Sequence, residues 1–257
     1  MRRLATALAF WVIACSAGPA AAERLVVSLS NHRVAVTSNF VGEELVLFGT
    51  IEPDPAGQLR PPYDLVVTVT GPQQTMRTRR KQRTLGIWVN VDSREFVSVP
   101  SYLAVLSNRP VAEIADQETL RKLQIGLTYF LLPQRIGPDV ADTVTDDPFR
   151  RAFVRLQRQQ GLYRESSTAV TFLTPTVFRT AIAMPAAVPT GTYAIEVELF
   201  SQGKLVARTN SALEVIKAGF EQYVADAARD YGLLYGMATA LMALLIGWFA
   251  SVVFRRD

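Results

Sequence analysis

The chain has 257 residues but only one cysteine and one histidine. Because Cys15 lies close to the N-terminus, the rest of the chain offers neither a disulfide nor thiol chemistry. His32 alone excludes a histidine metal cluster, and we expect it to be a polar residue in a hairpin turn. No G-x-S-x-G motif and no glycine-rich phosphate loop are present. We therefore expect no enzyme, with no catalytic residue, cofactor or metal; carboxylate-only chemistry is the remaining enzymatic alternative.

Charged residues are absent from a long stretch near the C-terminus, residues 232–254. An apolar helix of about 20 residues crosses the hydrocarbon core of a bilayer, so this stretch predicts a transmembrane helix. Arg255 and Arg256 follow directly, and short positive flanks stay in the cytoplasm. We expect residues 255–257 to be a cytoplasmic tail.

The N-terminus has the three parts of a signal peptide. Arg2 and Arg3 precede an apolar stretch over residues 4–15, and residues 20–22 form an A-x-A cleavage site. We predict a signal peptide over residues 1–22, with an uncleaved anchor or a lipoprotein site at Cys15 as alternatives. The body would then lie in the periplasm, held by a single pass in the bacterial inner membrane. Removing residues 1–22 takes two of the 27 basic residues and none of the 23 acidic ones, which lowers the net charge from +4 to +2. Only local basic patches can then indicate an anionic partner.

Short alternating apolar segments with turn residues between them predict a mainly β fold. Residues 23–107 contain about seven such segments, which favours an immunoglobulin-like antiparallel sandwich domain. Residues 168–217 return to the same pattern and either complete this sandwich or add a second one. The clearest strand places Tyr193, Ile195, Val197 and Leu199 inward, with Ala194, Glu196 and Glu198 outward.

Helices are predicted in two other segments. Residues 108–167 form a helical insertion, in which residues 111–124 have helix-forming composition. Asp147 and Pro148 then read as the N-cap and first position of a second helix. Its apolar stripe would be Phe149, Phe153 and Leu156. Residues 218–231 are expected to form a juxtamembrane helix.

Two basic patches are candidate sites for an anion or a partner. The first is a run of cations, of which alternate members share one face of a strand: Arg77, Arg79, Arg80, Lys81 and Arg83. It can bind an oxyanion, lipid headgroups or an acidic loop, or it is a solvated edge strand protected against aggregation. The second is a helical stripe made by Arg151, Arg155 and Arg158, which is otherwise an ordinary solvated face. Nucleic acid is not an expected partner in the periplasm.

The remaining candidates are an acidic loop and the transmembrane helix. The loop contains Asp139, Asp142, Asp146 and Asp147, but its spacing matches no calcium loop. Small residues recur along one face of the predicted transmembrane helix: Gly232, Gly236, Ala240, Ala243 and Gly247. Such a face lets a second helix approach closely, in a homodimer or a complex. The alternative is a simple anchor.

Several motifs together resemble a family of alphaproteobacterial transmembrane proteins. They occur in the order residues 34–42, residues 47–49, Gly71-Pro72, the basic run, residues 86–90, Pro185, residues 189–193 and the terminal apolar stretch. The likeness covers nearly the whole chain. Members of that family are often encoded beside permeases that resemble the TauE/SafE sulfite exporters, so the resemblance implies a transport-accessory role by association and no residue roles.

We therefore expect a membrane-anchored accessory or interaction protein, such as a subunit of a permease complex for a small, sulfite-like anion. The alternative is a stand-alone anchored module that binds a ligand or has a structural role in the envelope. In the first case the transmembrane helix has a partner, and in the second it is only a tether.

Overall fold

The computed structural model describes residues 23–53, 59, 61–136, 139–142, 147–219, 223–224 and 228–253. The predicted signal peptide, residues 1–22, and the predicted tail, residues 255–257, lie outside the described residues. The predicted juxtamembrane helix is described only in part, and residues 228–230 within it are helical.

Strands dominate the described part of the chain. They are β1 (Arg24–Leu29), β2 (Arg33–Val36), β3 (Gly42–Glu52), β4 (Tyr63–Thr70), β5 (Gln73–Thr84), β6 (Ile87–Pro100), β7 (Leu103–Ser107), β8 (Pro133–Ile136), β9 (Asp139–Asp142), β10 (Tyr163–Ser166), β11 (Val170–Phe172), β12 (Val177–Pro185), β13 (Gly191–Ser201) and β14 (Lys204–Lys217). The helices are α1 (Val111–Ile114), α2 (Gln117–Leu123), α3 (Pro148–Gln159) and α4 (Gly232–Val253). The chain is mainly β, as the sequence predicts.

Two sheets enclose one hydrophobic core. The first has the strand order β1-β3-β12-β11, and the second has the order β10-β7-β4-β13-β14-β2. Their inward side chains, such as Leu47 of β3, Ile182 of β12 and Val67 of β4, belong to the same buried cluster. Because β12 pairs with β3 and β13 pairs with β4, the strands of residues 168–217 complete the first sandwich.

The sandwich is not purely antiparallel. At its two edges the six-stranded sheet has parallel pairs, β10 with β7 and β2 with β14. The chain reaches β10 after a long excursion through residues 108–162, as a parallel connection requires. The segment predicted as a helical insertion therefore contains three short strands, β8, β9 and β10, besides its helices.

The helices α1 and α2 cover the outer face of the six-stranded sheet. Val66 and Val105 of the sheet form a second buried cluster with Ile114 and Leu120 of the helices. The predicted helix over residues 111–124 is therefore two helices, since Ala115 adopts an extended conformation between them. The break lets Ile114 and Leu120 reach the same sheet face.

The second covered face accounts for a buried carboxylate on β13, which alternation did not predict. Tyr193, Ile195, Val197 and Leu199 are buried as expected, but Glu198 is only 1% exposed. Glu198 points away from the core shared by the sheets, where a polar residue ordinarily meets water. Here α1 and α2 pack on that face, beside Val66, which is the cross-strand partner of Glu198.

A third sheet extends the sandwich into an arm. After Gly71-Pro72, β5 continues from β4, and β6 returns to β7 through Ser101-Tyr102. We call residues 73–100 the arm. The sheet order is β5-β6-β8-β9, so β5 is an edge strand.

Candidate interaction surfaces

The arm ends in a tight two-residue turn. Thr84 pairs with Ile87, and the two residues between them have positive φ angles, 52° at Leu85 and 87° at Gly86. Positive φ at both central positions is the pattern of a type I′ hairpin turn, whose twist matches that of the strands. Glycine adopts this conformation without strain, but leucine does not.

The register of the arm shows how the cations of the basic run are arranged. Arg77, Arg79, Lys81 and Arg83 alternate along β5 and lie on one face, as the sequence predicts for a strand. Arg80 lies on the opposite face, across from Asp92. A bulge between Arg80 and Lys81 shifts the register of the two strands within the outer part of the arm, residues 79–91.

Charge is balanced in the inner half of the arm and unbalanced in the outer half. Glu95 accepts hydrogen bonds from Arg77 at 3.4 Å and from Arg135 at 2.9 Å. Asp92 pairs with Arg94 at 3.3 Å. Among the described residues, the outer cations Arg79, Arg80 and Lys81 form no ion pair. The outer part, residues 79–91, contains no acidic residue.

Large apolar side chains cluster at the end of the arm. Leu85 is 100% exposed, Ile87 67% and Trp88 70%, and Val89 and Val91 are also exposed. Arg83 is the cross-strand partner of Trp88, so a cation and an indole share one face. Scattered surface leucines are normal, but a contiguous group of this kind is typical of an interaction site.

The base of the arm is held firmly by α3. The rings of Phe96 and Phe153 stack at 4.3 Å between centroids, and the Arg94 guanidinium lies 5.1 Å from the centre of the Phe149 ring. Gln157 donates a hydrogen bond to the sulfur of Met76 at 2.9 Å. These contacts fix the base of the arm against α3, and the tip projects beyond them.

Helix α3 begins where the sequence predicts. Asp147 is its N-cap and accepts a hydrogen bond from the Arg150 backbone N–H at 2.8 Å, with Pro148 at the first position. Phe149 and Phe153 are buried. The prediction for Leu156 is wrong, because its side chain is 43% exposed while Gln157 is buried in its place.

The predicted arginine stripe lines an open groove along α3. Arg151, Arg155 and Arg158 border a volume of about 500 Å³, together with Leu127 and Val154. Among the described residues, Arg155 and Arg158 have no ion-pair partner.

Arg150 completes this groove and was missed by sequence reasoning. Its side chain is only 4% exposed and donates hydrogen bonds to the backbone oxygens of Phe130 at 2.6 Å and Thr128 at 3.2 Å. The only sequence signal is its spacing from Phe153 and Gln157, at i+3 and i+7, which places it on the buried side of the helix. Burial raises the pKa of the nearby Tyr163 hydroxyl, and the positive charge of Arg150 partly opposes this shift.

The acidic loop shows a structural role at one of its positions. Besides capping α3, Asp147 accepts a hydrogen bond from the Gln134 side-chain amide at 3.0 Å. Asp146, together with the side chains of Asp139 and Asp142, lies outside what the structure describes. In the described part of the chain, His, Cys, Asp and Glu side chains form no metal-binding group of three or more.

A buried carboxylate on β13 is a second feature that the sequence did not predict. Glu198 lies 3.5 Å from the Nε atom of Arg208, which is hydrogen-bonded at 2.7 Å to Glu196. Burial raises the pKa of Glu198 to about 7, and the positive charge of Arg208 only partly opposes this shift. Strand alternation places Glu198 on the face opposite Tyr193, but it does not indicate that this face is covered.

The helix α4 spans Gly232–Val253, and residues Gly232–Ser251 are long and apolar enough to cross a membrane. The predicted small-residue face comprises Gly232, Gly236, Ala240, Ala243 and Gly247, all of them exposed. A Cβ atom added at Gly232, Gly236 or Gly247 would meet nothing within 4 Å. Within the described structure, nothing covers this face.

Comparisons with known proteins assign the chain to a family. The family described as "Putative transmembrane protein (Alph_Pro_TM)" matches residues 24–256. No curated protein matches the chain in sequence. Among solved structures, the chain is similar to Spo0M, a sporulation control protein from Bacillus subtilis, at 10% identity and a TM-score of 0.28. That alignment covers 82% of this chain and 56% of the Spo0M chain, so this chain spans little more than half the length of that relative.

Proposed function

Because the chain belongs to the Alph_Pro_TM family of transmembrane proteins, we propose that it is a non-enzymatic accessory subunit of an inner-membrane complex. The observation that carries this proposal is the small-residue face of α4, which no other described part of the chain covers. Its partner is a polytopic permease for a small anion, and a second copy of the chain is the alternative partner.

Membrane chemistry supports a packed partner on this face. Helices in lipid gain little from hydrophobic burial against each other, so association depends on close van der Waals contact. Glycine and alanine allow that contact because they are small enough for the two helix backbones to lie close together. The face from Gly232 to Gly247 repeats small residues at helical spacing, as such an interface requires.

The proposed topology places the β-rich body in the periplasm and the C-terminus in the cytoplasm. It rests on the signal-peptide pattern of residues 1–22 and on Arg255 and Arg256 directly after the apolar stretch. A body on that side can meet the periplasmic loops of a permease.

The test is purification of the full-length protein from its native membrane in mild detergent. We expect a polytopic permease to accompany the unaltered protein in a fixed ratio. Gly236→Leu together with Ala240→Leu should abolish that recovery, since each leucine separates the helices. Leu245→Phe adds bulk on the opposite face of α4 and should leave recovery intact. Partner-free recovery of the unaltered protein would refute the accessory role, and a homodimer lost only in the leucine variant would identify the second copy as the partner.

The groove beside α3 favours a second candidate function, a stand-alone anchored module that binds a small anion. Arg155 and Arg158 offer cationic hydrogen-bond donors that no described acid neutralises. This function predicts that sulfate or sulfite binds the purified protein and that Arg155→Gln with Arg158→Gln removes binding. Arg121→Gln, an exposed arginine on α2, is the control. Equal binding by both variants would contradict this candidate.

A further inference from the structure

The tip of the arm can be compared with a second turn of the same geometry in the same chain. The turn between β13 and β14 has Gln202 and Gly203 at its centre, with φ angles of 51° and 79°. The arm tip has Leu85 and Gly86 at the equivalent positions, with φ angles of 52° and 87°. The geometry is matched, but one turn presents a polar side chain and the other a fully exposed leucine.

Folding does not account for leucine at this position. A left-handed conformation is strained for a bulky residue, and Asn, Asp or Gly are the residues that suit it. The leucine also buries nothing in the chain, because its side chain is 100% exposed. Its apolar surface is therefore available to something outside the described structure.

The chemistry of the arm changes in order along its length. Leu85 and Ile87 form the end, and Trp88 comes next on the face that it shares with Arg83. Lys81, Arg80 and Arg79 follow, with no acidic residue among them. A bilayer surface has the same order, from hydrocarbon through the interface favoured by tryptophan to anionic headgroups that attract lysine and arginine.

The body that carries the arm is tethered close to the membrane that holds α4. β5 is 12 residues long, which corresponds to about 40 Å of strand. Only residues 218–231 separate the end of β14 from the start of α4. A chain of that length spans at most about 50 Å when fully extended, so the body stays near its own bilayer.

We propose that the arm is a membrane-docking element, whose apolar tip enters the anionic bilayer that holds the chain's own transmembrane helix. Leu85, Ile87 and Trp88 insert at the interface, and Arg79, Arg80, Lys81 and Arg83 contact lipid phosphates. This gives the body a second attachment besides α4 and fixes its orientation to the bilayer. An acidic protein surface would use the cations but would not require the exposed leucine at the turn.

The experiment uses the full-length protein, reconstituted without any other protein. With Cys15→Ser as the background, Thr84→Cys carries an environment-sensitive fluorophore beside the tip, and Gln202→Cys carries it at the matched turn. The vesicles contain phosphatidylcholine alone or an equimolar mixture with phosphatidylglycerol. Emission wavelength and quenching by spin-labelled lipid report whether each label enters the bilayer.

We expect the label at residue 84 to shift to the blue and to be quenched, more strongly in the anionic vesicles, while the label at residue 202 stays in water. Leu85→Asn should abolish the shift without lowering Tm, because asparagine suits the turn better than leucine. Replacing Arg79, Arg80 and Lys81 by glutamine should weaken docking roughly fivefold per cation and remove the preference for anionic lipid.

An unshifted label at residue 84 in both kinds of vesicle would overturn the proposal. So would quenching of the residue 84 label that Leu85→Asn leaves unchanged. A shift that occurs only in native membranes and not in pure lipid would assign the tip to a protein partner instead. Because the vesicles contain no permease, the outcome is independent of the accessory role proposed for α4.

Discussion

At the scale of single residues, the face of a strand on which a side chain lies does not determine whether it is buried. Glu198 falls at an outward position of β13, yet it is enclosed, and one of its oxygens has no hydrogen-bond partner in the described structure. A carboxylate in such a place favours its neutral form, because desolvation penalises the charge. Sequence alternation identifies the face of a strand but not what later packs on that face.

Glu198 should make stability depend on pH. Its pKa is 4.5 in the unfolded chain and about 7 in the folded one, so the folded state binds more protons between these values. The contribution of Glu198 to stability is therefore fully present below about pH 4.5, and roughly 3 kcal/mol of it is lost as the pH rises through 7. Glu198→Gln should remove this part of the slope. Urea unfolding at a series of pH values measures it.

The control for this experiment is Glu214→Gln, which removes a carboxylate that is 49% exposed and paired with Arg33. That variant should keep the slope of the unaltered protein. A slope between pH 4.5 and 7 that Glu198→Gln leaves unchanged would show that another group is responsible.

Packing also explains the glycines in two of the motifs noted in the sequence. A Cβ atom on Gly71 would lie 2.9 Å from both Tyr102 and Tyr193, and one on Gly191 would lie 2.9 Å from Pro72. The Gly71-Pro72 motif and residues 189–193 therefore meet in the fold, although they are far apart in sequence. These motifs are explained by packing rather than by chemistry.

At the scale of elements, local rules predict the ends of helices better than their continuity. Asp147 and Pro148 start α3 as expected, because capping depends on a few neighbouring residues. The break at Ala115 was not predictable, since it arises from packing of α1 and α2 against a sheet formed by distant strands. The same dependence on distant partners hid the buried role of Arg150.

The two helices that begin with aspartate offer a direct test of capping. Asp147 accepts a hydrogen bond from a backbone N–H, whereas Asp116 at the start of α2 makes no such side-chain bond. Asp147→Ala should lower the free energy of unfolding by about 1–2 kcal/mol. Asp116→Ala should cost less, because only its charge near the helix N-terminus is lost. Thermal or denaturant unfolding compares them.

Equal destabilisation by the two substitutions would show that the hydrogen bonds accepted by Asp147, from the Arg150 N–H and the Gln134 amide, contribute little beyond charge. Asp147→Asn separates these contributions further. It keeps an oxygen that can accept the hydrogen bond and removes the negative charge, so most of the stability should remain.

At the scale of the whole molecule, the sequence predicted the class of fold and the membrane anchor but not how the strands combine. Alternation within residues 23–107 and 168–217 is visible locally, while the pairing of β3 with β12 and of β4 with β13 joins residues that are far apart. The continuation of β4 and β7 into the arm was also not visible. Its basic residues were identified, but the exposed tip beside them became apparent only with the hairpin register.

This interleaving predicts that residues 23–107 do not fold as a separate domain. Without β12, β3 loses its partner along Gly42–Thr50, and without β13, β4 loses the strand that covers Tyr63–Thr70. The core cluster would then expose Leu47, Val67 and their neighbours, which are fully buried in the intact chain. We expect a fragment of residues 23–107 to lack cooperative thermal unfolding and dispersed NMR signals, whereas residues 23–219 should show both. A cooperative transition in the shorter fragment would mean that its strands find a stable arrangement alone, and the single shared core would then not be required for folding.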